Sequence, residues 1–479
     1  MLCAATSIAL RAQTLTTLVN FAGGNGANPY AALLQGFDGN LYGTTYSGGA
    51  NNSGTVFKMT PAGTLTTLYS FCPQSGCADG AHPFANMVQA ANGNFYGTTY
   101  DGGANNSGTV FKVTPAGRLT TLYSFCVRSN CTDGWRPSAG LVQATDGNFY
   151  GTTEYGGAVG GGTVFKITPS GTLTTLYSFC TQSGDYCPDG SMPYAGLAQG
   201  IDGNFYGTTE YGGGYDGFGF CYDYGCGTVF KITPAGTLTT LYSFCYQNDC
   251  SDGALPDDSL LLATDRNFYG TTGLGGSSGR CGSDCGTVFK ITPSGTLTTL
   301  YNFCAQAGCP DGYDPLGGLV RATDGNFYGT TAFGGPDNTG TVFEITPQGS
   351  LTTLHTFDSS DGSGPYGTLI QDTDGALYGT TTYGGTDVHD GTVFTLSVGL
   401  GPFVETRPAS GKVGAAVKIL GTNLTGATSV TFNGTAAAFT VVLPSLITTT
   451  VPSGTTTGEV DVIKPHGTVR SNVPFRVIP

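Results

Sequence analysis

The sequence predicts an all-β protein in which a seven-bladed β-propeller is followed by a small immunoglobulin-like β-sandwich. Three motifs each recur seven times in 479 residues, glycine (79) and aromatic residues (26 Tyr, 28 Phe) are abundant, and no amphipathic helix of useful length is visible. Four strand-like segments per unit, at a period near 50 residues, are typical of propeller blades. We place the propeller at residues 14–399 and the sandwich at residues 400–479.

The repeat is defined by the motifs Y-G-T-T, G-T-V-F and L-T-T-L. Y-G-T-T begins at Tyr42, Tyr96, Tyr150, Tyr206, Tyr269, Tyr328 and Tyr378. In the second unit the four segments are PFANMVQA, NFYGTTYDGG, GTVFKVTP and LTTLYSF. Tight turns join the first segment to the second and the third to the fourth, at A-N-G-N or T-D-G-N and at P-A-G or P-S-G, so each unit predicts a four-stranded antiparallel sheet.

The L-T-T-L motif is displaced relative to the other two. Its first copy, at Leu15, precedes every other strand-like segment, and the last unit ends after GTVFTLSV without a copy. We therefore expect residues 14–21 to supply the outer strand of the seventh blade, which closes the ring and leaves no open sheet edge. The short turns then lie on one face of the ring, and the long, variable connections lie on the other.

Composition excludes several classes of partner. The formal net charge is −14 and charged residues make up only 10% of the chain, which disfavours binding to nucleic acid or to an anionic membrane. No apolar run is long enough to span a bilayer. Residues 1–13 have the small, apolar character of the end of a secretory signal peptide, although an ordinary disordered N-terminus remains the alternative.

All the cysteines except Cys3 form close local pairs. The pairs are Cys72/Cys77, Cys126/Cys131, Cys180/Cys187, Cys221/Cys226, Cys245/Cys250, Cys281/Cys285 and Cys304/Cys309. Both members of a pair are present or absent together, as disulfide formation requires, and closing such a loop contributes about 2 kcal/mol. Metal binding is the alternative, but C-x2-C is absent and no second pair or histidine lies near each pair in sequence. We expect seven disulfides on the long-connection face and a secreted or cell-surface protein.

Two family resemblances follow from these motifs. The run GLVQATDGNFYGTT, followed by GTVFKITP and LTTLYSF, resembles the GloVer tandem repeat over about residues 14–398. That resemblance implies an exported bacterial propeller and implies no reaction. The pattern G-x-x-V-x-I-x-G-x-N-L from Gly414 to Leu424, followed by V-T-F-N-G, resembles the IPT/TIG immunoglobulin-like domain, which commonly acts as a spacer or an interaction module.

Residues that could carry out chemistry are sparse. The D-G-x-x-P loops place an aspartate in most blades, which favours turn capping over calcium binding. These aspartates are Asp79, Asp133, Asp189, Asp252, Asp311 and Asp361. The four histidines are scattered, and the GGSSG run in a glycine-rich loop lacks the strand and helix of a nucleophile elbow. We expect no cofactor, no bound metal, and no cluster of carboxylates, Arg or His at the central opening.

One connection breaks the sevenfold symmetry with aromatic residues. It joins the second and third strands of the fourth blade, and the only tryptophan lies in another long connection. The candidate ligand-binding residues are Trp135, Tyr215, Phe218, Phe220, Tyr222 and Tyr224. Exposed aromatic residues near carboxylates suit stacking on sugar rings or contact with a protein, and packing of the loop against its neighbours is the alternative.

These features together predict a non-enzymatic binding or adhesion protein. Its ligand would be an extracellular glycan or a surface protein bound on the disulfide-bearing face, and we expect a monomer. A carbohydrate-active lyase or hydrolase with acids at the central opening is one alternative. A purely structural surface component is the other.

Overall fold

The computed structural model describes residues 13–181, 187–213, 221, 224–245, 250–277 and 285–478. Within these ranges the named elements are β-strands joined by turns and loops, apart from a short 3-10 helix at Ser129–Cys131. Among the described residues, no helix is long and apolar enough to cross a membrane.

The repeats fold into four-stranded antiparallel sheets, of which the described residues contain seven. The inner strands are Leu34–Gln35, Val88–Gln89, Val142–Gln143, Ala198–Gln199, Leu261–Leu262, Val320–Arg321 and Ile370–Gln371. The second strands are Leu41–Thr45, Phe95–Thr99, Phe149–Thr153, Phe205–Thr209, Phe268–Thr272, Phe327–Thr331 and Leu377–Thr381. The third strands are Thr55–Met59, Thr109–Val113, Thr163–Ile167, Thr228–Ile232, Thr287–Ile291, Thr341–Ile345 and Thr392–Ser397. The outer strands are Leu65–Ser70, Leu119–Ser124, Leu173–Ser178, Leu238–Ser243, Leu297–Asn302, Leu351–Thr356 and the N-terminal Thr14–Asn20.

The N-terminal strand completes the last sheet, as the displaced L-T-T-L motif predicts. Thr14–Asn20 pairs antiparallel with Thr392–Ser397, from Thr14 opposite Ser397 to Asn20 opposite Thr392. The last sheet therefore joins the first strand of the chain to the last strand of the repeats. The predictions of propeller-type sheets and of the N-terminal closing strand are confirmed.

The recurrence of Y-G-T-T with G-T-V-F has a packing cause. Gly43 of the second strand lies opposite Phe57 of the third, and a Cβ on Gly43 would lie 2.5 Å from the Phe57 ring. The phenylalanine ring occupies the space that the glycine leaves, and Phe57 is completely buried. The same glycine–phenylalanine pair recurs at Gly97 and Phe111, so the two motifs specify one contact.

Neighbouring blades are joined by two repeated contacts. The Y-G-T-T tyrosine packs on the second-strand phenylalanine of the next blade, with ring centroids 4.2 Å apart for Tyr96 and Phe149. The first threonine of the motif donates a hydrogen bond to a carbonyl of the next blade, as from Thr98 Oγ1 to the Ala139 oxygen at 3.0 Å. The same bond runs from Thr380 to the Ala31 oxygen at 3.1 Å, which links the last blade to the first.

The inner strands are much shorter than the sequence segments suggest. In the second unit the segment PFANMVQA yields only the strand Val88–Gln89. The residue before the proline has a left-handed backbone, with φ of 54° at both His82 and Arg136. Ladder pairing in the second unit begins only at Val88, which lies opposite Tyr96.

The C-terminal domain is a β-sandwich. Its first sheet has the order Val404–Arg407, Ala416–Gly421, Leu446–Thr450 and Phe439–Leu443. Its second sheet has the order Thr435–Ala437, Ser429–Phe432, Val460–Lys464 and Gly467–Arg470. A short parallel pair joins Ser410–Gly411 to Arg476–Val477. The predicted Asn433-Gly434 hairpin connects two adjacent strands of the second sheet, with Phe432 opposite Thr435.

The sandwich packs on the short-turn face of the propeller. Phe37 of the first blade forms a small apolar cluster with Leu420 and Leu446 of the sandwich. The Arg407 guanidinium donates to the Gln35 oxygen at 2.9 Å, and the Lys418 amine donates to the Ala91 oxygen of the second blade at 2.6 Å.

A further contact reaches across the ring. The Arg476 guanidinium donates to the Ile201 oxygen of the fourth blade, which lies nearly opposite the first blade. The sandwich therefore spans the turn-face end of the central channel.

Candidate functional site at the mouth of the central channel

A cavity of about 390 Å³ lies on the axis of the ring. Each blade contributes to its wall the residue that follows the proline of the long connection. These residues are Tyr30, Phe84, Ser138, Tyr194, Asp257, Leu316 and Tyr366. Because the sandwich contacts the first, second and fourth blades on the turn face, the long-connection face is the more open approach to this cavity. The mouth on that face is consequently the candidate site.

One part of the cavity wall is aromatic. Tyr30 stacks on Phe84 with ring centroids 4.8 Å apart, and Tyr366 contacts Tyr30 at 5.6 Å. Phe84 in turn meets the edge of Tyr194 at 5.7 Å. Burial raises the pKa of both Tyr30 and Tyr194, so the hydroxyls stay neutral. The rings form a continuous apolar layer contributed by four blades.

The opposite part of the mouth carries carboxylates. Burial, and then the charge of Glu154, raise the pKa of Glu210 to about 7. Burial also raises the pKa of Glu154, a residue that is only 7% exposed. Burial, followed by the charges of Glu210, Asp314 and Asp258, raises the pKa of Asp257. Four successive blades therefore supply acids that lie close enough to influence one another.

Asp258 has a structural role within the same wall. It accepts hydrogen bonds from the backbone amides of Ser259 and Gly318 and, at 2.8 Å, from the Thr368 hydroxyl. These partners belong to the fifth, sixth and seventh blades, so Asp258 ties three blades together. Its carboxylate is fully engaged, unlike that of its neighbour Asp257.

The single tryptophan belongs to a cluster at the rim of the mouth. Trp135 packs against Tyr155 at 5.0 Å, and their backbones form a β-bridge. The Arg136 guanidinium lies over the Tyr100 ring at 4.8 Å and over the Trp135 ring at 5.0 Å. Arg136 also approaches Asp101 at 3.9 Å, so the rim carries an arginine held between aromatic rings.

This cluster continues into the fourth blade. Tyr155 lies close enough to Tyr211 to influence the pKa of its hydroxyl, and Tyr211 meets the edge of Tyr224 at 5.9 Å. Tyr224 is 66% exposed. We call Trp135, Tyr155, Tyr211 and Tyr224 the aromatic ridge. Of the sequence-predicted ligand residues, the structure thus places Trp135 and Tyr224 at the two ends of one ridge.

The remaining predicted ligand residues lie outside the described residues. They are Tyr215, Phe218, Phe220 and Tyr222. Two ridge residues, Tyr155 and Tyr211, were not predicted from the sequence. Both are the second residue after the Y-G-T-T motif. The β-bridges Trp135–Tyr155 and Ser191–Tyr211 pair this position with the residue that lies two positions before the proline.

Six of the predicted disulfides are formed in the structure. They are Cys72–Cys77, Cys126–Cys131, Cys180–Cys187, Cys221–Cys226, Cys245–Cys250 and Cys304–Cys309. Cys285 is also disulfide-bonded, and its predicted partner Cys281 lies outside the described residues. All belong to the long connections. Disulfides in this number are typical of proteins from oxidising compartments.

The recurring D-G aspartates stabilise the long connections. The Tyr123 hydroxyl donates to Asp133 at 2.8 Å, and the backbone amide of Val127 donates to the same carboxylate. Equivalent tyrosine bonds reach Asp79 and Asp252 at 2.8 and 2.7 Å. These contacts support turn capping over calcium binding.

The carboxylates at the mouth were not predicted, since the sequence led us to expect no such cluster. The signal was present but required alignment of the blades. The residues after the proline are apolar or small in six blades, whereas the fifth has Asp257-Asp258-Ser259. The first position after Y-G-T-T is glutamate only at Glu154 and Glu210. Each of these acidic residues is a single departure from the repeat in its own blade. The ring arrangement of the blades places them close to one another at the mouth.

The repeated sheets and the docked sandwich define a β-propeller protein with an immunoglobulin-like domain. Its repeats match the Gloeobacter/Verrucomicrobia repeat over residues 4–132, 74–277 and 188–394, and its sandwich matches the IPT/TIG domain over residues 404–477. The chain belongs to the Gloeobacter/Verrucomicrobia repeat family. A search of curated proteins found no match.

Two solved structures are similar at low identity. The extracellular domain assigned to a hybrid two-component system of B. thetaiotaomicron is similar at 11% identity and a TM-score of 0.50, covering 97% of this chain and 54% of that domain. The chain thus spans about half the length of that relative. A gluconolactonase of Xanthomonas campestris is similar at 13% identity and a TM-score of 0.38, covering 82% of this chain and 92% of the enzyme.

Proposed function

We propose that this protein is an extracellular glycan-binding propeller whose ligand lies along the aromatic ridge at the mouth of the central channel. The disulfides support a location outside the reducing cytoplasm. The ridge is the observation that carries the proposal, because it aligns four aromatic side chains from two adjacent blades on the accessible face.

The chemistry around the ridge suits a sugar chain. Aromatic faces stack on the C–H surfaces of sugar rings and retain a polar edge. Arg136 lies over the Trp135 ring at 5.0 Å. The Arg136 guanidinium supplies hydrogen-bond donors for sugar hydroxyls beside the stacking surface.

The ridge is partly fixed before any ligand binds. The backbones of Trp135 and Tyr155 are held by a β-bridge, as are those of Ser191 and Tyr211. Tyr224 lies within the loop that the Cys221–Cys226 disulfide closes, and its carbonyl accepts from the Gly212 amide at 2.8 Å. A surface that is ordered in advance loses less conformational entropy on binding.

A glycan-array screen of the purified protein tests the proposal, followed by affinity measurements on the strongest bound glycan. Truncation of an aromatic contact residue typically costs about 2 kcal/mol, so Trp135→Ala should weaken binding by tenfold or more. Tyr224→Ala should have a smaller effect because this residue lies at the exposed end of the ridge.

Tyr313→Ala provides a matched control. Tyr313 occupies the position of Trp135 in the sixth blade and stacks on Phe333 at 5.6 Å, but it lies outside the ridge. Its truncation should leave affinity unchanged. The proposal fails if the array shows no bound glycan, or if Trp135→Ala and Tyr313→Ala bind the selected glycan as tightly as the parent.

A carbohydrate-active enzyme is the second candidate function. The observation that favours it is Glu210, whose pKa of about 7 suits proton transfer near neutral pH. The bound glycan should then be cleaved on prolonged incubation, and Glu210→Gln should abolish cleavage while binding persists. Recovery of intact glycan from the parent protein, measured by mass spectrometry, would exclude this candidate.

A further inference from the structure

The first turn of the seventh blade differs in sequence from the equivalent turns of the other six blades. The residue that follows the inner strand is alanine or glycine in six blades, namely Gly36, Ala90, Ala144, Gly200, Ala263 and Ala322. In the seventh blade this residue is Asp372, which is only 2% exposed. A buried carboxylate therefore occupies this position in the blade after which the chain continues into the sandwich.

The donors that stabilise a turn acid in other blades are replaced in the seventh. In the third blade, Asp146 accepts hydrogen bonds from the Asn148 side chain at 2.8 Å and from the Lys166 amine at 3.0 Å. The equivalent positions of the seventh blade hold Ala376 and Thr395. The seventh-blade turn therefore carries an additional acid and lacks both of these donors.

The sandwich and the segment that leads to it pack on this turn. The Phe403 amide donates to the Thr373 oxygen at 3.1 Å, and the Thr373 hydroxyl lies 3.0 Å from the Thr422 hydroxyl. The Arg407 guanidinium belongs to the same junction, but it donates two hydrogen bonds to Glu405, at 2.8 and 2.9 Å. The positive charge that the sandwich brings to the junction is therefore shared with one of its own acids.

Asp372 is poorly satisfied as a charged group at this junction. Its Oδ1 atom is buried and has no hydrogen-bond partner among the described residues, and its Oδ2 atom accepts a long bond from the Asp374 amide, at 3.4 Å. Burial, followed by the charges of Asp374 and Glu405, raises the pKa of Asp372 to about 8, and Arg407 acts in the opposite direction. A proton on this carboxyl group removes the cost of burying a further negative charge beside two acids.

We propose that a proton on Asp372 holds the sandwich on the propeller, and that loss of this proton at alkaline pH loosens the docking. When the sandwich leaves, the turn faces water, where an aspartate releases its proton at acid pH. Docking therefore takes up one proton. The contribution of Asp372 to docking is complete below pH 3.8 and is lost as the pH rises through 8. Within that window, one bound proton changes the docking equilibrium by at most about tenfold per pH unit.

Hydrogen–deuterium exchange of the full chain at pH 6, 7 and 8 tests the inference at residues 398–407, after correction for the intrinsic exchange rate. The Phe403 amide reports docking directly, because its acceptor is the Thr373 oxygen of the propeller. Protection of this segment in the parent should fall by about tenfold or more from pH 6 to pH 8. Asp372→Asn cannot ionise, so its protection should stay level. Damage to the fold would instead lower protection without removing its pH dependence.

Two further variants assign the effect to the junction. Glu405→Gln removes a negative charge of the sandwich and frees Arg407, which lowers the pKa of Asp372 in the docked state and should make the fall smaller. Asp146→Asn changes a turn acid of the third blade, which pairs with Lys166, and should leave the fall as it is in the parent. The inference is overturned if protection in the parent does not fall, or if either Asp372→Asn or Glu405→Gln falls as steeply as Asp146→Asn.

Discussion

Asp146 on the turn face of the propeller and Glu210 on the long-connection face lie in opposite electrostatic situations. On the turn face, partial burial acts to raise the pKa of Asp146, but hydrogen bonds from Asn148 and Lys166 outweigh it and lower that pKa to about 2. On the long-connection face, burial and a neighbouring charge raise the pKa of Glu210 to about 7. Donors of the same repeat stabilise the charge of Asp146, whereas burial dominates for Glu210 and also for Asp372, a turn-face acid whose pKa it raises to about 8.

This difference follows the sequence variation. The turn-face contacts recur almost unchanged: the Tyr150 hydroxyl donates to Asp146 at 2.9 Å, and the Tyr206 hydroxyl donates to Asp202 at 2.9 Å. The mouth is built from positions that change from blade to blade. In a repeat protein of this kind, the repeated contacts can maintain the fold. The positions that differ between repeats can then form a specific site.

The largest effect should come from the strand that closes the ring. Deletion of residues 14–20 removes the outer strand of the last blade and exposes the edge of Thr392–Ser397. We expect the thermal midpoint of the propeller to fall by about 10 °C or more, because a whole strand and its packing are lost. Differential scanning calorimetry of this deletion, compared with deletion of residues 1–12, measures the effect. Equal midpoints for the two deletions would contradict the closure.

The opposite pKa directions of Asp146 and Glu210 predict opposite effects of pH on their contributions to stability. Glu210 has its pKa raised from 4.5 to about 7 in the folded protein, so its contribution is complete below pH 4.5 and is lost as the pH rises to 7. Asp146 has its pKa lowered from 3.8 to about 2, so its contribution is present above pH 3.8 and is lost as the pH falls to 2.

Urea unfolding across this pH range tests the contrast. Glu210→Gln should flatten the decline in the free energy of unfolding between pH 4.5 and 7 and leave the acid limb unchanged. Asp146→Asn should alter only the acid limb. If Glu210→Gln leaves the slope between pH 4.5 and 7 as it is in the parent, the raised pKa is not realised in the folded protein.

A smaller effect is expected at the junction with the sandwich. Lys418 donates to the Ala91 oxygen at 2.6 Å and lies over the Phe37 ring at 4.0 Å. Lys418→Ala removes both contacts and should cost about 1 kcal/mol of docking free energy. Limited proteolysis should then cleave the segment at residues 398–403 faster than in the parent. Lys412→Ala, on the same domain, serves as the control and should leave the rate unchanged.

The sheets could be predicted from the sequence because their causes are local or repeated. Gly43 packs against the next strand, and Tyr42 packs against the next blade. Both contacts recur along the chain, so the repeated motifs reveal them. The pairing of Thr14–Asn20 with the last blade could also be predicted from the sequence. The L-T-T-L motif occurs alone before the first unit and is missing from the last unit, so the first copy can complete that unit. The short inner strands could not be predicted, because nothing in a segment such as PFANMVQA marks the residue at which ladder pairing begins.

The mouth was only partly predictable for a different reason. Trp135 and Tyr224 attract notice by composition, but the ridge that connects them needs Tyr155 and Tyr211, which are ordinary tyrosines until the blades are arranged in a ring. Asp257 and Asp314 are 57 positions apart in the chain, and each lies in a loop of normal length. Convergence at an axis cannot be inferred from one repeat at a time.

Glycan binding at the mouth is tested most directly by locating where a bound glycan protects the backbone. Hydrogen–deuterium exchange of the protein, with and without the strongest glycan from the array, should show slower exchange at residues 134–137, 154–157 and 211–213. Residues 144–148 and 200–204 on the turn face should exchange at the same rate in both samples. Protection confined to the turn face or to the sandwich would contradict the claim that binding takes place at the mouth of the long-connection face.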